Sequence, residues 1–267
     1  MKEAVILAGG LGTRLSEETG LRPKPMVEIG DSPILLHIMN YMSRFGINSF
    51  IICLGYKGNT IKDFFTSLMT SSGSIRLDFS ERKSYCLEDD CSFKDWNIKL
   101  IETGALDMTG SRLRQALKHV EDKEFLFTYG DGLTNQNINE LVESHRTANK
   151  IATVTAVKPP GRFGALNLDT SSLDTRNSDV MNFSEKPLGD NAWINAGYFV
   201  LSKEVSRYLS DQQDCTFEKE PLMNLAKDGQ LNAFKHDGFW KPMDTLKDKN
   251  ELNDLIKSRK APWMLNK

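Results

Sequence analysis

The chain has 267 residues, with Lys plus Arg at 34 and Asp plus Glu at 36, for a formal net charge of −2. Near neutrality argues against a bulk nucleic-acid or anionic-membrane binder, because such proteins carry a basic excess that displaces counterions from phosphate. Any anionic ligand must therefore meet a local basic cluster. Hydrophobic residues at 39% and charged residues at 26% can support a core and exclude disorder as the main description. At about 150 residues per domain the length falls between one and two, and reads as a single domain over 1–267 with two sub-lobes, 1–160 and 161–267.

Four cysteines, Cys53, Cys86, Cys91 and Cys215, are too few and too scattered for a disulfide framework. The Cys86 to Cys91 spacing with no nearby histidine is a weak zinc signal, and reduced thiols are the better reading. The apolar run at the start is too short for a signal-peptide core. No stretch approaches the roughly 18 apolar residues of a membrane helix. A soluble, cytoplasmic protein is expected.

Strand-length apolar runs at 4–8, 50–54, 98–101, 125–129 and 151–157 alternate with helix-length amphipathic segments. That alternation is the pattern of an α/β fold, with helices flanking a mostly parallel, Rossmann-like sheet. Ile34, Leu35, Ile38, Met39, Met42 and Phe45 recur at helical spacing after Pro33, and Gly46 stands where a cap belongs. Helices are also expected near 60–69, 109–120 and 138–149. The polar stretch 83–94 reads as a long loop or hairpin. After Pro159-Pro160-Gly161 come short strands at 165–168, 180–183 and 196–201, with helices at 205–209, 218–227 and 246–258, a smaller α+β lobe packed on the first.

The first strand runs into Leu7-Ala8-Gly9-Gly10-Leu11-Gly12-Thr13-Arg14-Leu15. Glycines after a buried strand let backbone N–H groups approach an anion, and this order puts the turn at the carboxyl edge of the sheet, where open α/β sheets bind ligands. No lysine completes a P-loop, and Leu15 stands where a dinucleotide fingerprint needs glycine. Arg14 adds a fixed charge with a planar donor fork suited to a polyphosphate. Ten residues later Lys24 lies between Pro23 and Pro25, on a stiff segment that cannot join a helix. Asp131, in Gly130-Asp131-Gly132 at the end of another strand, belongs at the same edge. A carboxylate beside phosphate oxygens needs a cation between them, and Mg²⁺ takes one or two carboxylates plus substrate phosphates. As an ordinary turn aspartate Asp131 has about equal standing. His37, His119, His145 and His236 are isolated, and no hydrolase elbow is present.

The glycine turn, the Pro23-Lys24-Pro25-Met26 segment, Phe127-Thr128-Tyr129-Gly130-Asp131-Gly132, Glu185-Lys186-Pro187 and Phe239-Trp240-Lys241-Pro242-Met243-Asp244-Thr245 together resemble the sugar-phosphate nucleotidyltransferases. The similarity runs from Lys2 to about Trp263 and is strongest to the branch that uses CTP and glucose 1-phosphate. It implies formation of CDP-glucose and pyrophosphate, feeding deoxysugar and surface polysaccharide (O-antigen) synthesis. Alternatives are UTP or another sugar 1-phosphate with the same chemistry, or a non-catalytic nucleotide-binding regulator. A homo-oligomer, with a hexamer as the type, is also implied by the resemblance alone.

The resemblance further implies site roles. Arg14, Lys24 and Asp131 would be catalytic, with Asp131 and Asp244 binding Mg²⁺. The nucleotide would lie against Leu7, Ala8, Gly9, Gly10, Gly12, Thr13, Thr103, Gly104, Arg112 and Gly130. The sugar phosphate would meet Gly164, Glu185, Lys186, Asn195, Gly197, Trp240 and Asp244. Simpler alternatives stand beside several of these: a solvated lysine in a proline loop for Lys24, turn residues for Lys186, Thr103-Gly104 and Asn195-Gly197, the N-cap of the last helix for Asp244 in competition with Thr245, and a solvent-facing helix surface for Arg112.

Overall fold

The computed structural model describes residues 1–70, 75–78, 80–81, 83–86, 95–158, 165–168, 180–184 and 193–265. One seven-stranded sheet organises the chain. Its strands are β1 (Glu3–Leu7), β2 (Ser49–Leu54), β3 (Asn97–Glu102), β4 (Glu124–Tyr129), β5 (Ala152–Val157), β6 (Ile194–Ser202) and β7 (Leu231–His236), in spatial order β7-β5-β6-β4-β1-β2-β3. All are parallel except β6, which runs antiparallel to both neighbours. The mostly parallel sheet expected from the βα pattern is therefore present.

Helices cover both faces: α1 (Ile34–Ser43), α2 (Gly58–Thr70), α3 (Thr109–Ala116), α4 (Ile138–Ala148), α5 (Glu220–Lys227) and α6 (Leu246–Lys257). Side chains alternate between faces along a strand, so each strand feeds two cores. Ala4 and Ile6 of β1, with Ile52 of β2 and Val200 of β6, pack with Ile38 of α1 and Leu141 of α4. Val5, Ile51 and Phe199 turn to the other side, against Leu113 of α3 and Leu225 of α5. Gly46 takes φ +81° just beyond α1 and donates to Ser43 O at 3.1 Å, the cap its position predicts.

Two findings refine the chain-order reading. Strands from both sides of residue 160 share the main sheet, because β6 lies between β4 and β5. The change of texture there marks a return of the chain through an existing core, and the expected division into sub-lobes does not follow the sheet. The segment 231–236 is an edge strand that sequence pattern missed. Its burial is only partial, so it lacks an apolar run. The stretch beginning at 83 opens as half of a hairpin, Ile75–Asp78 against Lys83–Cys86. Cys53 and Cys215 are buried free thiols, and burial pushes the Cys53 thiol up to about 12. Cys91 lies outside the described residues. Among the described residues no helix is long and apolar enough to cross a membrane.

Candidate active site

The chain order β1, β2, β3 proceeds to one side of the sheet, and β4 then pairs on the other side of β1. This reversal opens a crevice beyond the carboxyl ends of β1 and β4, the place where doubly wound sheets bind ligands. Backbone hydrogen bonds hold its rim together. Ala8 donates to Cys53 O at 3.0 Å, Tyr56 to Gly9 O at 3.1 Å and Gly130 to Leu7 O at 3.0 Å. Because β6 runs the other way, its beginning, Ile194 to Gly197, stands where its neighbours end. The resulting cleft holds about 700 Å³.

Glycine is required at two of its corners. Gly12 has φ +62°, and a Cβ there would lie 2.8 Å from Thr19 Cγ2 and 3.1 Å from Lys24 Cβ. A Cβ on Gly130 would lie 2.8 Å from Pro25 Cγ. The glycine turn, the Pro23-Lys24-Pro25 segment and the end of β4 are thus packed closer than side chains would allow. Arg14 falls on a short 3₁₀ turn, Thr13–Leu15, of which Thr13 lines the cleft.

Lys24 joins the two carboxylates. Its Nζ donates to Asp131 Oδ2 and to Asp244 Oδ1, each at 2.7 Å. The Lys24 side chain is 9% exposed, against 29% for Asp131 and 18% for Asp244. Burial by itself would lower the Lys24 pKa. The charge of Asp131 and hydrogen bonds to Asp131 and Asp244 outweigh it and raise the ammonium above its ordinary value.

Asp244 is brought to this point by pairing between Trp240–Pro242 and Gly132–Thr134, together with a hydrogen bond from Met243 N to Asp131 O at 2.9 Å. Thr245, and not Asp244, caps α6: its hydroxyl accepts from Asp248 N, and the Asp248 carboxylate reaches back to Thr245 N. The Asp244 carboxylate is left to face Lys24.

The structure assigns the other expected nucleotide residues two different positions. Leu7, Ala8, Gly10, Gly12 and Thr13 line the cleft with Lys24 and Gly130. Gly9 and Thr103 are buried, Gly104 is exposed just beyond β3, and none of the three lines it. The Thr103 hydroxyl donates to Leu54 O and accepts from Arg112, so it is spent inside the protein. Arg112 does not sit on a solvent face. It is 4% exposed, and its guanidinium donates to the carbonyls of Leu54 at 2.9 Å, Gly9 at 3.1 Å, Ala105 at 3.3 Å and Asp107 at 2.9 Å. One edge of Arg112 still lines the cleft.

Of the sugar-side residues, Asn195, Gly197, Trp240 and Asp244 line the cleft. Trp240 Nε1 donates to Ala196 O at 2.8 Å, which orients the indole across the opening. Gly164, Glu185 and Lys186 lie outside the described residues. Two wall residues escaped sequence reading. Asp107 accepts from Ser111 Oγ at 3.0 Å; burial opposes its charge, but bonds from Gln213, Ser111 and Gln115 hold its carboxyl below the usual range. Glu218 accepts from Tyr129 and from Thr109 Oγ1. Neither has a motif, because each is defined by partners on other elements.

The two facing carboxylates fit a hard divalent cation that draws its remaining ligands from phosphate and water. Among the described residues no third acidic, histidine or cysteine side chain joins them, so they form half a site and not a cage. Chemically, the cleft offers backbone N–H groups, a buried ammonium and paired carboxylates at one sheet edge.

The nucleotidyl transferase family profile matches residues 3–258. The glucose-1-phosphate cytidylyltransferase of Salmonella typhimurium is 49% identical over 262 residues, covering 98% of each chain. A probable glucose-1-phosphate cytidylyltransferase of Bacillus subtilis is 41% identical, again over 98% of each. Among solved structures, HddC from Yersinia pseudotuberculosis superposes with a TM-score of 0.69 at 25% identity, covering 96% of this chain and 100% of that one. A UDP-glucose pyrophosphorylase complexed with UDP-glucose, at 14% identity, shares the fold with a TM-score of 0.68 over 97% of this chain and 99% of its own. The chain belongs to the nucleotidyl transferase family and, within it, to the glucose-1-phosphate cytidylyltransferases.

Proposed function

We propose that this enzyme joins CTP and α-D-glucose 1-phosphate to give CDP-glucose and pyrophosphate, with Mg²⁺ as cofactor. The observation that carries the reading is Lys24 held between Asp131 and Asp244 beside the glycine turn, in a chain 49% identical to a glucose-1-phosphate cytidylyltransferase. A phosphate oxygen of the sugar phosphate attacks the α-phosphorus. A new P–O bond forms as the bond from that phosphorus to the bridging oxygen breaks, and pyrophosphate departs with the electron pair. The attacking oxygen is anionic at neutral pH, so no general base is needed. Positioning and charge neutralisation supply the catalysis.

In this scheme the backbone N–H groups of the glycine turn cradle the nucleotide, and Arg14 holds the leaving pyrophosphate. Lys24 neutralises charge that develops on the α-phosphate. Lys186 grips the sugar phosphate, and Asn195, Gly197 and Trp240 shape the sugar's end of the cleft. Asp131 and Asp244 would hold Mg²⁺, which when bound supplies electrostatic screening of the phosphate oxygens. A cytoplasmic location, a homo-oligomeric assembly of the hexamer type and supply of product to deoxysugar and O-antigen synthesis complete the reading.

The test is a pyrophosphate-release matrix of nucleoside triphosphates against sugar 1-phosphates with Mg²⁺. Greatest turnover is expected for CTP with glucose 1-phosphate. Greater turnover with UTP, or with another sugar, overturns the substrate assignment. Exchange of labelled pyrophosphate under no pairing would mark a binding protein in place of an enzyme.

A further inference from the structure

We infer that Lys24 is the resident counterion of the carboxylate pair, and that a divalent cation enters between Asp131 and Asp244 only as an anionic substrate draws the Lys24 ammonium away. The inference rests on the proposed metal role of those two carboxylates.

Three observations carry it. The ammonium touches both carboxylates at 2.7 Å, so in the substrate-free protein it already does the work of a bridging cation. The site is half closed, and a dication ligated by the same two groups would face a buried like charge with little water to screen it. The Lys24 backbone, meanwhile, has no freedom to retreat. It is flanked by Pro23 and Pro25, it packs so close to Gly12 that a Cβ there would lie 3.1 Å from Lys24 Cβ, and its carbonyl accepts from Val27 N at 3.1 Å. Only the four-carbon stem can move, and it can swing the ammonium toward the glycine turn without disturbing the fold. Phosphate oxygens arriving there offer the ammonium new partners while the carboxylates become available to metal. A lysine suits such an exchange because its compact charge sits on a flexible stem.

A direct consequence is that the substrate-free enzyme should bind metal poorly for a site with two converging carboxylates. The test uses Mn²⁺ as the probe, with free ion counted by electron paramagnetic resonance and no nucleotide present. Lys24→Met should bind Mn²⁺ about tenfold tighter than wild type or more, since a buried positive charge is removed. Lys24→Arg, which keeps the charge, should stay as weak as wild type. Lys24→Gln serves as the second neutral variant, with melting temperature recorded to show that each protein is folded. Adding Asp131→Asn or Asp244→Asn to Lys24→Met should abolish the gain. If neutral variants bind no tighter than wild type while either carboxylate substitution still weakens binding, the counterion inference is overturned and the metal site stands. If neither carboxylate substitution alters Mn²⁺ binding in any background, the metal assignment fails and takes the inference with it.

Discussion

Arg112 Nη2 donates to Gly9 O at 3.1 Å across 103 positions of sequence, so a helix on one face of the sheet holds the shape of the glycine turn on its edge. A Cβ at Gly9 would collide with the guanidinium, and the two residues therefore depend on each other. Replacing Arg112 by Met strips donors from Leu54, Gly9, Ala105 and Asp107 carbonyls. Some keep a second partner, Gly9 O from Tyr56 N among them, so a loss of about 2–4 kcal/mol is expected, read from urea midpoints. Lys at this position cannot span the fork and should recover little. An unchanged midpoint for Arg112→Met would show that the clamp is decorative.

Lys24→Ala should reduce kcat by about a hundredfold or more, the usual effect of removing one charge-stabilising donor. Far-UV circular dichroism should be unchanged, because the truncation leaves the backbone of the Lys24–Met26 turn and the main sheet in place. A variant with near-normal turnover would remove Lys24 from the chemistry.

Gly12→Ala forces an L-residue into φ +62° and pushes its Cβ against Thr19 and Lys24. The left-handed backbone alone costs roughly 1–2 kcal/mol. Activity should fall by more than stability accounts for, since Lys24 is one of the two neighbours displaced. The comparison is kcat measured well below the melting transition, against the midpoint of denaturation.

Thr245→Ala removes the cap of α6 and should lower stability by about 1 kcal/mol. The same change loosens the turn that aims Asp244, so the Mg²⁺ concentration giving half-maximal turnover should rise. Asp248→Asn, which disturbs the other half of the capping box, should act in the same direction.

His37 predicts an acid limb in stability. It is buried, its Nε2 lies 2.9 Å from Ile29 O, and its Nδ1 accepts from Trp263 Nε1 at 3.3 Å. Those partners assign a neutral ring with the proton on Nε2. Burial lowers its pKa below the ordinary 6.5. The unfolded chain then takes up the proton first as pH falls. The stability is whole above about pH 6.5 and is lost below it, down to the folded-state pKa. Melting temperature should decline between pH 7 and pH 5, and His37→Gln, which keeps a donor and an acceptor, should flatten that decline. His145, also lowered by burial, accounts for part of what remains.

Local sequence carried much of this protein. Buried strands such as 4–8, 50–54 and 125–129 are legible because a strand covered on both faces must be apolar along its length. Gly12 is legible because backbone restrictions act within a few residues, but the Lys24 segment, expected to stay out of any helix, forms a short 3₁₀ turn over Lys24–Met26, since proline's fixed φ and missing N–H suit a first helical turn. Even the three residues that meet in the candidate site, Lys24, Asp131 and Asp244, could be named from motifs and a family resemblance. Tertiary structure decided what those residues do to one another. The reversed β6 brings Asn195 and Gly197 to the cleft, the strand pair at 132–134 and 240–242 sets Asp244 beside Asp131, and Arg112 turns inward beneath the glycine turn. Each depends on contacts between positions far apart in the chain, where pairing and burial, and not local propensity, determine the free energy. The basic cluster demanded by a net charge of −2 thus begins with an ammonium already bound to its own carboxylates.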